Sequence, residues 1–162
     1  FLLFLDPPAS SESQANVLAN FRHDIATVKR LRAGKQLHIP VALCVSKLDL
    51  LVHQSYAKED DGDTVQDFYN KLAEIGWEDS SLNQINARSE LVLQLRDTVW
   101  PDWPIERTIH DLFGGRCMFF PLTPVGFNRP DLEGTSQRIY EPLGLLEPLL
   151  WLLHMNGYPV FR

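Results

Sequence analysis

Four consecutive residues in the first half of the chain are of types that together can bind a flat, polar ring. The segment Ser46–Asp49 (Ser-Lys-Leu-Asp) stands directly after the apolar run Val41–Val45. The carboxylate of Asp49 can accept two hydrogen bonds at once. The aliphatic stem of Lys47 can cover a ring face while its ammonium stays in water. Lys47 and Asp49 are also ordinary residues for an exposed loop after a strand, so the segment alone leaves both interpretations open.

A second candidate segment follows the apolar run Cys117–Phe120. Thr123 offers a hydroxyl and Val125 offers a backbone N–H. Pro124 stands between them and has no N–H to donate. A simple turn after a strand is the alternative interpretation.

Apolar runs without polar alternation are typical of strands buried on both faces of a parallel sheet. The chain has three, Phe1–Leu5, Val41–Val45 and Cys117–Phe120. Apolar residues spaced by three and four predict the intervening helices, which run through Leu18–Leu31, Val65–Ile75, Leu82–Val99, Ile105–Leu112 and a last segment that begins or kinks near Glu147. We expect the first helix to carry Lys29, Arg30 and Arg32 in its last turn and to end at Gly34.

This order predicts an α/β fold of three layers, a parallel sheet flanked by helices. Residues 1–162 are expected to form one domain, with a helical insert around 53–113. Ligands of open parallel sheets bind beyond the carboxyl ends of the strands, so both candidate segments are expected at the same edge.

With these elements in place, the chain resembles the C-terminal half of a Ras-like (TRAFAC-class) P-loop GTPase domain. Ser46–Asp49 fits the family's [N/T/S]-K-x-D motif, and Thr123–Gly126 loosely fits its S-A-x-G loop. The first strand, the following helix and the leucine-rich segment Glu147–Leu153 look most like the bacterial double-GTPase group, which is associated with conflict and signalling systems.

The resemblance implies that the chain binds GTP or GDP. In that case Asp49 accepts from N1–H and the 2-amino group of guanine, and Lys47 covers the base. Ser46 and Thr123 brace the two loops. The family's alanine N–H, which donates to guanine O6, is replaced at Pro124, so Val125 takes that contact or guanine selectivity is weakened.

The phosphate-binding loop G-x-x-x-x-G-K-[ST] does not occur in the sequence. The D-x-x-G matches at Asp111–Gly114 and Asp131–Gly134 follow the base motif, whereas the family has this motif before it, so we interpret both as coincidental. Hydrolysis of GTP and binding of Mg²⁺ would then belong to a half that lies upstream of Phe1. The chain opens in a strand-like run without methionine, which favours a piece of a longer protein.

Composition excludes several classes of function. The sequence holds 15 basic and 21 acidic residues, a net charge of −6 that argues against binding to nucleic acid. No apolar run approaches the roughly 20 residues of a membrane span, and no signal peptide is recognisable. Both cysteines lie in apolar runs, which favours a reducing, cytoplasmic location. Histidines and cysteines lack metal-ligand spacing, so no metal site is expected.

A nucleotide-free α/β interaction module, such as a degenerate GTPase that serves as a scaffold, is the alternative. Pro124 and the helical insert favour it, and its partner would be an unidentified protein. Trp100 and Trp103 can form either an aromatic patch for such a partner or an anchor in the core.

Overall fold

A computed structural model describes residues 2–5, 11–28, 30, 35–48, 62–99, 105–114, 116–123 and 142–161. The elements are, in chain order, β1 (Leu2–Leu5), α1 (Ser11–Val28), β2 (Val41–Val45), α2 (Gly62–Ile75), α3 (Leu82–Val99), α4 (Ile105–Phe113), β3 (Cys117–Pro121) and α5 (Glu147–Met155). Within the described residues, three helices lie between β2 and β3, where a helical insert was expected.

The three strands form a parallel sheet in the order β1-β2-β3. Leu5 pairs with Val45, and Val45 pairs with Pro121, so the strands end in the same row of the sheet. β2 lies between its neighbours, and every one of its residues is buried. This explains why the sequence of β2 shows no polar alternation.

Helices cover the sheet on both faces, which confirms the predicted α/β fold of three layers. Val41, Leu43 and Val45 point to one face, where they share a core with residues of α1, α2, α3 and α4. Ala42 and Cys44 point to the other face, where Trp151 of α5 packs edge-on against Phe120. Among the described helices, none is both long and apolar enough to cross a membrane.

The end of α1 differs from the prediction. The helix ends at Val28, without a basic residue in its last turn, and Arg30 adopts a left-handed conformation with φ 51°. The apolar spacing continues to Leu31, but the backbone has turned before that position. Apolar spacing reports which side chains can share a face, and a local turn can end the hydrogen bonding earlier.

Pro148 lies at the start of α5 and does not kink the helix. The helix begins at Glu147, which places Pro148 in the first turn. A proline at this position sacrifices no hydrogen bond within the helix, so α5 starts there and is not kinked.

The outer edge of β3 is covered by a helix. Phe119 donates its backbone N–H to the hydroxyl of Ser89 on α3, at 3.2 Å. Leu122 donates instead toward β2, to the carbonyl of Val45. The backbone N–H groups of successive residues in a strand point alternately to its two sides. An N–H at position 121 would point away from β2, so proline removes no hydrogen bond between the strands. The strand can therefore include Pro121, one residue beyond the predicted Phe120.

Candidate functional site

The two candidate segments begin side by side, because the strands that lead into them end in register. We call the residues at this end of the sheet, Leu5, Ser46, Lys47, Leu122 and Thr123, the carboxyl edge. Leu122 donates its backbone N–H to the carbonyl of Val45 at 2.9 Å, which extends the pairing one step past β3. The sequence-based expectation that both segments leave the sheet at one edge is confirmed.

Ser46 ties the end of β2 to the end of β1. Its hydroxyl donates to the carbonyl oxygen of Leu5 at 2.9 Å, and its backbone N–H donates to the same oxygen at 3.0 Å. The predicted bracing role of the Ser46 side chain thus has a described partner, and that partner is the last residue of β1.

Lys47 turns the chain sharply as it leaves β2. Its φ is 58°, a left-handed conformation that costs a residue with a side chain roughly 1–2 kcal/mol. Its neighbour Leu48 is completely buried, whereas Lys47 is exposed. Burial of Leu48 offsets this strain. Asp49 lies outside the described residues.

Thr123 is completely buried and is braced through its backbone. It forms an isolated antiparallel bridge with Leu143, in which Leu143 donates to the Thr123 carbonyl at 2.9 Å and Thr123 donates back at 3.4 Å. The chain that leaves the sheet at Thr123 is therefore fastened to the chain that returns at Leu143. The proposed base contacts at Pro124 and Val125 lie outside the described residues.

A buried ion pair, which was not predicted from the sequence, connects α3 to the start of α5. Arg88 of α3 is completely buried, and Glu147, the first residue of α5, is 3% exposed. The Nη2 of Arg88 donates to Oε1 of Glu147 at 2.5 Å, and its Nε donates to Oε2 at 3.3 Å. These two bonds form a bidentate contact between guanidinium and carboxylate.

The remaining donors of Arg88 hold the turn between α2 and α3. Nη1 donates to the carbonyl of Gly76 at 2.6 Å, and Nη2 donates to the carbonyl of Asp79 at 3.1 Å. The guanidinium also lies 5.1 Å from the ring centroid of Trp77, within the range of a cation–π contact. One side chain thus joins α3, the turn and the start of α5.

The spacing of buried residues along α3 indicates one member of this pair. Arg88 occurs at the helical interval from Ile85 and Val92, both of which are buried, so the apolar stripe includes one charged position. A charge inside an apolar stripe requires a buried partner. The sequence does not identify that partner, because Glu147 is 59 positions away.

Burial raises the pKa of the Glu147 carboxyl, and the charge and hydrogen bonds of Arg88 lower the same pKa to a smaller extent. Burial also raises the pKa of the Cys44 thiol to about 12, so this side chain stays protonated in the core. Cys44 therefore acts as a small apolar residue and lacks the thiolate needed for nucleophilic chemistry.

Across the described parts of the chain, no group of three or more histidine, cysteine, aspartate or glutamate residues is placed to hold a metal ion. What the carboxyl edge offers is a rigid frame of backbone and hydroxyl groups around Lys47. The fold and this edge define a three-layer α/β protein. No family model, curated protein or solved structure significantly matches the chain.

Proposed function

We propose that the chain is the base-recognition half of a GTPase-type switch domain and binds a guanine nucleotide at the carboxyl edge. The observation that carries the proposal is the placement of Ser46 and Lys47, which open the motif Ser46–Asp49. Its first residue ties two strand ends together, and its second residue turns the chain out of the sheet. A base-reading loop needs such a rigid exit, because its hydrogen bonds must meet fixed ring positions.

Selectivity for guanine over adenine follows from the chemistry of Asp49. Guanine presents N1–H and the 2-amino group side by side, and a carboxylate accepts from both. Adenine offers no such pair of donors, so the carboxylate would lose its partners on binding, at a cost of about 1–3 kcal/mol or more. The exposed side chain of Lys47 covers the base with its stem.

The proposal requires a phosphate-binding loop from outside these 162 residues, because the sequence holds no G-x-x-x-x-G-K-[ST] segment. Mg²⁺ and hydrolysis of GTP belong to that part of the protein. A cytoplasmic signalling protein, in which the γ-phosphate switches loop order, is the setting that this function implies.

Calorimetric titration of the full-length protein with Mg²⁺-GDP and, separately, with Mg²⁺-ADP tests the proposal. We expect binding of GDP and none of ADP. The Asp49→Asn variant should lose GDP affinity and gain affinity for xanthosine diphosphate, because the amide then donates to the xanthine oxygen. Asp97→Asn, at an exposed position of α3, is the matched control and should change neither affinity. If Asp49→Asn binds GDP as the unaltered protein does, Asp49 does not read the base.

A protein-interaction module is the second candidate, and exposed apolar side chains favour it. Phe4 on β1 and Leu146 before α5 are each 69% exposed. Pro124 adds to this, because it removes a backbone donor from the second loop. Failure of the full-length protein to bind either nucleotide would favour this function.

A further inference from the structure

The Arg88–Glu147 pair acts on the segment that returns to the carboxyl edge. Glu147 is the first residue of α5, so its contact with Arg88 ties the start of this helix to α3. Leu143, which bridges Thr123, lies only four positions before it. The pair therefore fixes one end of a short segment whose other end is bonded to Thr123.

Gly144 in this segment has no room to move toward the sheet. A Cβ at this position would lie 2.4 Å from the carbonyl oxygen of Pro121 and 2.9 Å from the ring of Trp77. The same Trp77 ring lies beneath the guanidinium of Arg88. One continuous set of contacts thus joins Arg88, Trp77, Gly144 and the end of β3.

Stability alone is a poor explanation for this arrangement. Two apolar residues of similar volume often stabilise a core as well as a buried ion pair does, because each charge must lose its water. An arginine fork adds a fixed direction, since its planar donors accept only a narrow range of carboxylate positions.

We propose that Arg88 and Glu147 are positioning residues for nucleotide binding, which hold the return segment so that Thr123 presents the second base-binding loop in the correct place. This inference rests on the proposed function. It predicts that the pair affects nucleotide affinity without touching the nucleotide, through the bridge between Thr123 and Leu143.

Two variants of the full-length protein test the inference, and both replace a side chain by one of similar length. Glu147→Gln removes the carboxylate charge, and Arg88→Lys keeps the cation but loses the bidentate fork. Asp97→Asn changes an exposed carboxylate that pairs with Arg96 on the same helix and serves as the control. Affinity for Mg²⁺-GDP is measured by calorimetry at a temperature at which circular dichroism shows every variant folded. Amide hydrogen exchange at Leu143 is measured without nucleotide.

We expect GDP affinity to fall by about tenfold to a hundredfold in both variants, because small displacements of a binding group have effects of this size. Exchange at Leu143 should become faster in both, and Asp97→Asn should resemble the unaltered protein. If neither pair variant folds, Gly144→Ala displaces the same segment without changing a charge and should show the same two effects.

Three results would overturn the inference. One is a folded pair variant that keeps full GDP affinity, and this result leaves the proposed function intact. Another is a loss of affinity with unchanged exchange at Leu143, which would show that the pair does not act through the return segment. If the unaltered protein does not bind GDP, the proposed function fails first, and the positioning role fails with it.

Discussion

Replacement of Arg88 by methionine tests the energetics of the buried pair most directly. Arg88→Met keeps a long apolar stem and removes the guanidinium, so Glu147 loses both of its hydrogen bonds from arginine. The carbonyls of Gly76 and Asp79 lose a donor as well. The carboxylate of Glu147, a residue only 3% exposed, would then remain buried without its cation.

The expected loss of stability at pH 7 is about 3–5 kcal/mol, the cost of removing one partner from a buried ion pair. In a chain of this size, each kcal/mol lowers Tm by about 2–4 °C, so the fall in Tm is on the order of 10 °C. Urea unfolding followed by circular dichroism measures the loss directly. Lys71→Met is the control, because its partner Asp67 is 62% exposed, and it should cost under about 0.5 kcal/mol.

The pH dependence of the loss adds a second test. The pKa of folded Glu147 is raised above its ordinary value of 4.5, so its contribution to stability is complete below the pKa of the unfolded chain. The contribution is lost as pH rises through the folded pKa. Arg88→Met removes the charge and hydrogen bonds that hold this pKa down, which raises it further. The deficit of the variant should therefore be smaller near pH 4.5 and larger at pH 7.

Two results would refute this reasoning. A loss for Arg88→Met no greater than that for Lys71→Met would mean that the buried carboxylate finds other partners at no cost. A deficit that does not change between pH 4.5 and pH 7 would mean that the charge of Glu147 is not its source. The double variant Arg88→Met/Glu147→Leu should recover most of the lost stability, because it leaves no unpaired charge.

Three further predictions concern the core and the sheet. Gly144→Ala should cost about 2–4 kcal/mol in urea unfolding, because a Cβ meets backbone and the φ of +74° strains it; a neutral effect would contradict the tight packing. Ser89→Ala should cost about 1–3 kcal/mol, since the N–H of Phe119 loses its acceptor, and a cost equal to that of exposed Glu90→Ala would argue against the bond. Cys44, with a thiol pKa of about 12, should react with iodoacetamide at pH 8 only after denaturation, and equal rates in folded and unfolded chains would place it outside the core.

Much of the fold could be predicted because its central strand, β2, is buried on both faces. The expectation of the same burial for β1 was wrong, since Leu2 and Phe4 are exposed on the border strand. Val41–Val45 carries no polar residue, and a strand of that kind indicates a parallel sheet covered by helices. Two helix ends could also be predicted from glycine residues. Gly76 and Gly114 follow α2 and α4 in left-handed conformations, with φ values of 72° and 70°, which glycine adopts readily. The end of α1 was not predictable, because Arg30 adopts a left-handed conformation that its residue type does not favour.

The candidate site could be predicted only in outline. Sequence order and strand ends place Ser46 and Thr123 at one edge, because parallel strands share a direction. The partners that brace them lie far along the chain, the carbonyl of Leu5 for Ser46 and the backbone of Leu143 for Thr123. No local pattern specifies such contacts, since they depend on how the elements pack. The Arg88–Glu147 pair was not predicted for the same reason.

The two borders of the sheet are unlike, and this difference governs where the sheet can be enlarged. On the β3 side, the hydroxyl of Ser89 occupies the Phe119 amide, and α3 blocks the approach of another strand. On the β1 side, no described strand lies beyond Leu2–Leu5, and Phe4 remains 69% exposed. Among the described elements, α3 therefore closes the β3 border, and a further strand would have to pair with β1. Such a strand would extend the sheet beside the end of β1 that Ser46 holds.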